Sequence, residues 1–205
     1  MGKTNHAKRS RPRSRPRSRS RSRPRAAKKK TKRLSRGLSG QKKLVLKMVE
    51  DMKWPKTKRH NVLRKGQKGY EGFALGKVTS WAGKGENAGY KKIISLKTRE
   101  PKYNTLFKET KKLLKLKDPK FKFSSVQFNK NHRAAKHIDG RNMGVSYIIG
   151  LGDYTGGELI TYDEDGSNPQ KHDIHDKFYK FNGSVYPHET APYKGTRYTF
   201  VFYNI

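Results

Sequence analysis

The sequence predicts an α+β chain in which helices precede a core of short strands folded as a β-sandwich or jelly roll. Three observations predict it. Helical spacing of apolar residues is confined to the first 120 positions. From Phe121 onward the apolar runs are short, closely spaced and separated by Gly, Asp and Asn. All 22 aromatic residues lie after residue 53, which assigns the buried core to residues 37–205, with helical support over 37–120 and the β core over 121–205.

Residues 1–36 form a segment of different character. They carry 17 Lys/Arg, no acid, no aromatic residue and five apolar ones (Met1, Ala7, Ala26, Ala27, Leu34). So little apolar surface does not offset the entropy of ordering, and the segment is predicted to be disordered. Residues 11–25 alternate Arg with Ser and Pro; proline and like-charge repulsion favour an extended, solvated backbone there. Each Ser in the alternation is a possible phosphorylation site, and phosphate would reduce the positive charge. The basic run also suits a nuclear-import signal, a role compatible with binding polyanions.

Residues 39–53 have helical spacing, with Ser39 as a cap, Leu44, Val45, Met48, Val49 and Met52 on the apolar side, and Trp54-Pro55 as the stop. Residues 56–69 are basic and loop-like. A strand is predicted over Phe73–Trp81, although its apolar residues do not alternate cleanly. Residues 82–90 are a Gly-rich loop without the Gly-Lys-Ser/Thr ending of a phosphate-binding loop. A second helix is predicted over 101–117, opened by Pro101, closed by Asp118-Pro119, and burying Tyr103, Leu106, Phe107, Leu113 and Leu114. Beyond it, strands are predicted around Phe121–Phe128 and over Gly144–Gly150, Glu158–Tyr162, Lys177–Phe181, Gly183–Tyr186 and Tyr198–Tyr203.

The net charge is +34, and residues 37–205 carry the other 33 Lys/Arg against all 16 acids. A polycation of this strength favours nucleic acid as partner, through counterion release from phosphates. The absence of cysteine excludes disulfides, thiolate ligands and a Cys nucleophile, and fits an intracellular protein. No apolar run approaches the ~20 residues that span a bilayer, and no membrane partner is expected. The N-terminus lacks the apolar stretch of a secretory signal.

The chemistry lies in the last third. His137 and Asp139, two apart, project from one face of a strand. His188, from a distant strand, completes a three-ligand set. Two His and one carboxylate with the opposite face open is the ligand set of non-heme Fe(II) oxygenases. Alternatives stand beside this: the His172-Asp-Ile-His175-Asp stretch as a loop metal site, and His188 as a surface residue at a strand end. Arg197 falls in an otherwise apolar terminal strand, where a buried guanidinium needs an anion. Arg197 with Thr199, facing the same way, suits a carboxylate; the other reading is an internal salt bridge to Glu158 or an Asp. Gly150, Gly152, Gly156 and Gly157 are read as structural, and Tyr154 and Phe181 as core.

Residues 123–203 resemble the Fe(II)/2-oxoglutarate-dependent dioxygenase superfamily in the order His137-x-Asp139, His188, Arg197. The runs Gly-Leu-Gly-Asp-Tyr-Thr-Gly-Gly-Glu-Leu at 150–159 and Gly-Thr-Arg-Tyr at 195–198 resemble most the TET/JBP branch, which oxidises methyl groups of pyrimidine bases. The resemblance implies a double-stranded β-helix, a jelly roll of the cupin type. It implies Fe(II) on His137, Asp139 and His188, 2-oxoglutarate with its distal carboxylate on Arg197 and Thr199, and dioxygen as co-substrate. It also places Asn142, three residues after Asp139, where an amide reads the target base; as a turn residue Asn142 has a second explanation. The activity implied is hydroxylation of a nucleic-acid base (the methyl of methylcytosine or thymine), with DNA ahead of RNA and a nuclear location. A protein hydroxylase of prolyl or lysyl type on the same fold and a non-catalytic nucleic-acid-binding protein are the competing readings.

Overall fold

The computed structural model describes Met1, residues 25–82 and residues 89–205. Helix α1 runs over Arg25–Glu50. It begins well before the predicted start, so Ser39 lies inside it and residues 25–36 are helical rather than disordered. The reason is local: residues 25–50 are rich in Ala, Lys, Arg and Leu and contain no proline, whereas Pro12, Pro16 and Pro24 all lie upstream. The rest of the predicted disordered tail, residues 2–24, and most of the Gly-rich stretch, residues 83–88, lie outside the described residues.

Val45 and Val49, one helical turn apart, are fully buried, and Leu44 is exposed. This face of α1 packs on α3 (Pro101–Lys117), where Gln41 Nε2 donates to Glu109 Oε2 at 2.8 Å. Proline opens α3 because the first helical N–H has no intrahelical partner to lose. All five predicted apolar residues of α3 are buried, and the buried Thr110 hydroxyl donates to the Leu106 carbonyl at 2.9 Å. The short helix α2 (Leu96–Arg99) leads into it.

The larger sheet is antiparallel and has the order β1-β2-β4-β12-β5-β9, with β3 on β2. Its strands are β1 (Lys56–Thr57), β2 (Tyr70–Ala82), β3 (Gly89–Ile94), β4 (Ser125–Lys130), β5 (Ser146–Leu151), β9 (Tyr179–Phe181) and β12 (Tyr198–Tyr203). Alternation along β12 divides the molecule. Tyr198, Phe200 and Phe202 join Phe73, Phe128, Ile149 and the helices in the main core. Arg197, Thr199, Val201 and Tyr203 face the other way, into a cleft.

Strand β2 fails to alternate because it changes partner. Residues up to Gly76 pair with β4, and residues from Lys77 pair with β3. Gly76 sits at φ +88, where a Cβ would meet the Ser124 carbonyl at 2.1 Å, so only glycine makes this bend.

A smaller layer closes the cleft: β10 (His188–Thr190), β7 (Leu159–Thr161) and β8 (Gln170–His172) in one sheet, β11 (Tyr193–Gly195) and β6 (Tyr154–Gly156) in another. Ile148, Leu159, Ile174 and Phe181 form a second core between the layers. The predicted strand at Gly183–Tyr186 is instead a turn, closed by the Val185 and Tyr186 N–H groups on the Asn182 carbonyl. The strand in this region is β10, just beyond it. The result is a jelly roll with helices on one outer face.

Candidate metal centre

His137 lies in an extended segment rather than in a regular strand, held by a single antiparallel bridge to His188. The two residues exchange backbone N–H···O bonds of 3.0 and 2.9 Å, which puts both side chains on one face. Their rings lie 4.3 Å apart between centroids. Asp139 is anchored by its N–H on the Gly183 carbonyl at 2.8 Å and points to the same side. His137 Nε2 is 3.5 Å from Asp139 Oδ1, and His188 Nε2 is 3.7 Å from Asp139 Oδ2. One donor atom from each of the three falls within 4.8 Å of the others.

The imidazole tautomers are fixed by the backbone. His137 Nδ1 sits 2.7 Å from the Ala135 carbonyl, and His188 Nδ1 sits 3.2 Å from the Tyr186 carbonyl. A carbonyl only accepts, so each Nδ1 donates to it, and each Nε2 is the ring nitrogen turned toward Asp139. Burial, then the neighbouring His137, pushes the His188 pKa down to about 4, which keeps its ring neutral. Gly183 makes room for that ring, since a Cβ there would lie 2.8 Å from His188 Cε1.

Burial works to raise the Asp139 pKa, but the neighbouring His137 and the charge of Arg59 outweigh it and hold the carboxyl well below the usual range. Arg59 Nη2 donates to Asp139 Oδ1 at 2.5 Å. Asn142 Nδ2 donates to Asp139 Oδ2 at 3.2 Å, and its N–H closes a turn on the Asp139 carbonyl. Asn142 is thus both a turn residue and a wall of the cleft.

Arg197 is 2 % exposed, and its Nη2 donates to the Gly157 carbonyl at 2.9 Å. Its Nε has no hydrogen-bond partner, and among the described residues no carboxylate comes within 4.0 Å of the guanidinium. The internal salt bridge considered for Arg197 is therefore not formed. Burial lowers its pKa, opposed by the Tyr154 and Tyr193 rings, which lie 5.5 Å away. Gly157 is shaped to it: at φ +71, a Cβ would come within 2.8 Å of Arg197 Nε. Asn131, in the left-handed region at φ 48, trades two 2.8 Å bonds with the Arg197 backbone. Thr199 accepts from Asn129 Nδ2 at 3.1 Å, leaving its own hydroxyl proton to donate.

The triad, Arg197, Thr199 and Asn142 line one cleft of about 710 Å³. The competing His172/His175 site does not assemble among the described residues. His172 Nε2 lies 2.8 Å from the Thr161 hydroxyl, and His175 Nε2 lies 3.0 Å from the Gly152 carbonyl. Tyr154 and Phe181 are buried; Tyr154 flanks Arg197, and Phe181 lines the cleft 5.0 Å from the His188 ring.

Two cleft residues carried no signal in the sequence. Arg59 reaches Asp139 across 80 residues. His132 is 5 % exposed, stacks on Tyr70 at 3.8 Å, and has neither ring nitrogen hydrogen-bonded. Burial, then the neighbouring His137, Arg197, Arg59 and Arg64, lowers its pKa to about 4.

This donor set fits a divalent ion. Cis positions at metal–ligand distances of about 2.1 Å are about 3 Å apart, close to the separations found, and nitrogen and carboxylate ligands suit iron. Arg197, a buried cation with a vacant Nε and a hydroxyl beside it, fits a carboxylate.

No family model matches the chain, and no curated protein matches it. Among solved structures it is similar to an oxidoreductase of the 2OG-Fe(II) oxygenase family from Burkholderia pseudomallei, at 12% identity and TM-score 0.51 over 78% of this chain and 76% of that one. It is also similar to NgTET1 in complex with 5mC DNA, at 14% identity and TM-score 0.44, covering 65% of this chain and 60% of that one. A Pseudomonas putida prolyl-4-hydroxylase gives 11% identity and TM-score 0.45 over 81% and 84%. The first likeness shows the fold alone, which the chain shares with that oxidoreductase.

Proposed function

We propose that this chain is an Fe(II)/2-oxoglutarate-dependent dioxygenase that hydroxylates a nucleic-acid base. The observation that carries the oxygenase reading is the convergence of His137, Asp139 and His188 in one cleft with an unpaired, buried Arg197. His137, Asp139 and His188 would hold ferrous ion, and Arg197 with Thr199 would hold the distal carboxylate of 2-oxoglutarate. Together with dioxygen, these supply an oxidant that converts a substrate C–H to C–OH and releases succinate and carbon dioxide.

The protein's own contribution is placement and charge. Asp139 is kept ionised and the His188 ring neutral, and the carbonyls on both Nδ1 atoms leave the Nε2 atoms of His137 and His188 turned inward, where a metal would bind. Arg59 and Asn142 fix the carboxylate rotamer through its two oxygens. The apolar side chains of Ile148, Leu159, Phe181 and Val201 line the inner cleft and exclude water.

For the base, the supporting features are the net charge of +34 and the position of Asn142. Its side-chain carbonyl makes no hydrogen bond among the described residues, so it is free to accept from an exocyclic amine. A base inside a duplex does not reach such a site and has to be flipped out or already unpaired.

The test is turnover with Fe(II), 2-oxoglutarate and either oligonucleotides containing methylcytosine or thymine, or peptides containing Pro and Lys. Succinate release coupled to a 16 Da gain on the base supports the proposal. Coupling to peptide would make the protein a hydroxylase of proteins, and metal uptake without any turnover would make it a binding protein.

A further inference from the structure

Beyond the cleft mouth, the β2–β3 hairpin carries aromatic surface that the fold does not use. Trp81 and Tyr90 are directly paired across the hairpin, and they are 60 % and 56 % exposed. Their rings meet edge to face at 5.0 Å between centroids. Arg141, two residues past Asp139, lays its guanidinium 3.6 Å over the Tyr90 ring. One face of Tyr90 is thereby covered, while Trp81 remains open.

Pairing register gives the direction of this surface. Opposed residues share a face, so Trp81/Tyr90 and Thr79/Lys92 project to the same side. Thr79, Arg141 and Asn142 line the cleft, and Lys92 Nζ reaches Met143 Sδ at 3.7 Å. The surface is therefore a continuation of the cleft wall, from Asn142 through Arg141 to Tyr90 and Trp81.

Its charge is one-sided. On this face the described residues of β2, β3 and the 138–143 loop carry Lys77, Lys92 and Arg141 against Glu71 and Asp139, while Lys91, opposite Ser80, projects from the other face. Both acids are already engaged, Glu71 with Lys130 at 3.7 Å and Asp139 with Arg59 at 2.5 Å. Aromatic faces interleaved with cations that form no ion pair among the described residues are what a strand of unstacked nucleotides requires: π-surface for bases and positive charge for phosphates. A duplex offers the phosphates but keeps its bases stacked on each other. An acidic peptide offers the charge but no ring to stack.

We infer that the β2–β3 hairpin and the 138–143 loop form a stacking platform for an unpaired stretch of nucleic acid, Trp81 holding a base that flanks the one presented to the cleft. This rests on the reading of the cleft as a base-binding site, and it names the form of substrate: single-stranded, or opened around the target.

The experiment uses the full chain with a 12-nucleotide oligothymidylate, the same length as a duplex, and a 12-residue acidic peptide. The chain has two tryptophans, of which Trp54 is buried and Trp81 exposed, so quenching of emission reports on Trp81. The single strand should quench, and Trp81→Ala should abolish the quench and weaken single-strand binding about tenfold while leaving duplex binding unchanged. Trp81→Phe should restore much of the affinity. Stacking releases no counterions, so Trp81→Ala should not alter the salt slope, whereas Lys92→Ala should reduce it by about one. Absence of quenching, equal losses on single strand and duplex, or equal quenching by the peptide would overturn the inference. Ferrous-ion and 2-oxoglutarate binding, measured by calorimetry on the same variants, separates the two levels. If they persist while the platform fails, only the platform is wrong. If the quench persists in a protein that takes up no iron, the oxygenase reading is wrong and the platform stands.

Discussion

His137 and His188 stand opposite one another, each donating its backbone N–H to the other's carbonyl at 3.0 and 2.9 Å. This backbone pairing sets both imidazoles on one side of the chain. The centre is preorganised, and a ligand deletion should cost metal affinity without costing fold. His188→Ala and Asp139→Ala are expected to lower Fe(II) affinity by at least about 100-fold, more than loss of an outer partner, while the far-ultraviolet circular dichroism is unchanged. Anaerobic calorimetry checks this; unchanged affinity in either variant would remove the triad as the metal centre.

Gly157 and Arg197 make a second, separable prediction. The Gly157 carbonyl accepts from Arg197, and its missing side chain leaves the space that Arg197 Nε fills. Arg197→Ala should raise the 2-oxoglutarate requirement by about 100-fold, the worth of a desolvated, charge-assisted pair. Arg197→Lys should recover little, because an ammonium lacks the planar fork. Gly157→Ala should act in the same direction, since a Cβ at 2.8 Å displaces the guanidinium and φ +71 strains the backbone. Metal affinity should stay as in the parent. Titration of 2-oxoglutarate into the metal-loaded variants reads both effects.

How far the sequence carried this structure depended on which residues were local. Helix α3 matched its predicted bounds because Pro101 and Asp118 mark both ends and one face is apolar. Strand β12 did so because it is a short run of aromatic and β-branched residues. Strand β2 was blurred by the partner change at Gly76, a tertiary event. Strands β6, β8, β10 and β11 have three residues each, too few to show a period of two, and the turn at 183–186 was mistaken for one of their number. In the site, His137, Asp139, His188 and Arg197 were legible through order and spacing. Arg59 and His132 were not, because nothing adjacent in sequence marks them; only the folded cleft brings them to Asp139 and Tyr70.

His132 predicts acid sensitivity. Its folded pKa of about 4 lies below the ordinary 6.5, so the unfolded chain takes up a proton between these values that the folded chain refuses. Stability is complete above about pH 6.5 and falls as pH drops toward 4, by about 2 kcal/mol at pH 5 from this residue. His132→Phe preserves a ring to stack on Tyr70 and removes the proton site. The variant should lose less stability than the parent between pH 7 and 5 in urea melts of metal-free protein. Parallel losses would mean that His132 is not the source.

The final prediction concerns how charge is divided between the N-terminus and the folded part. Residues 1–24 hold 10 of the 50 Lys/Arg and no acid, and helix α1 begins at Arg25, so a chain starting at that residue keeps every described element. Non-specific affinity for nucleic acid scales with the phosphates neutralised, each contributing about 0.7–0.9 to the salt slope. The shortened chain should therefore bind oligonucleotides with a visibly shallower slope. Turnover on a free methylated nucleotide, which brings no run of phosphates for the N-terminal cations to neutralise, should be unchanged. The two readouts move independently only if capture and chemistry are separate functions of the chain. A slope that survives the truncation would assign the phosphate contacts to the folded part, with Lys92 and Arg141 beside the cleft as the first residues to test.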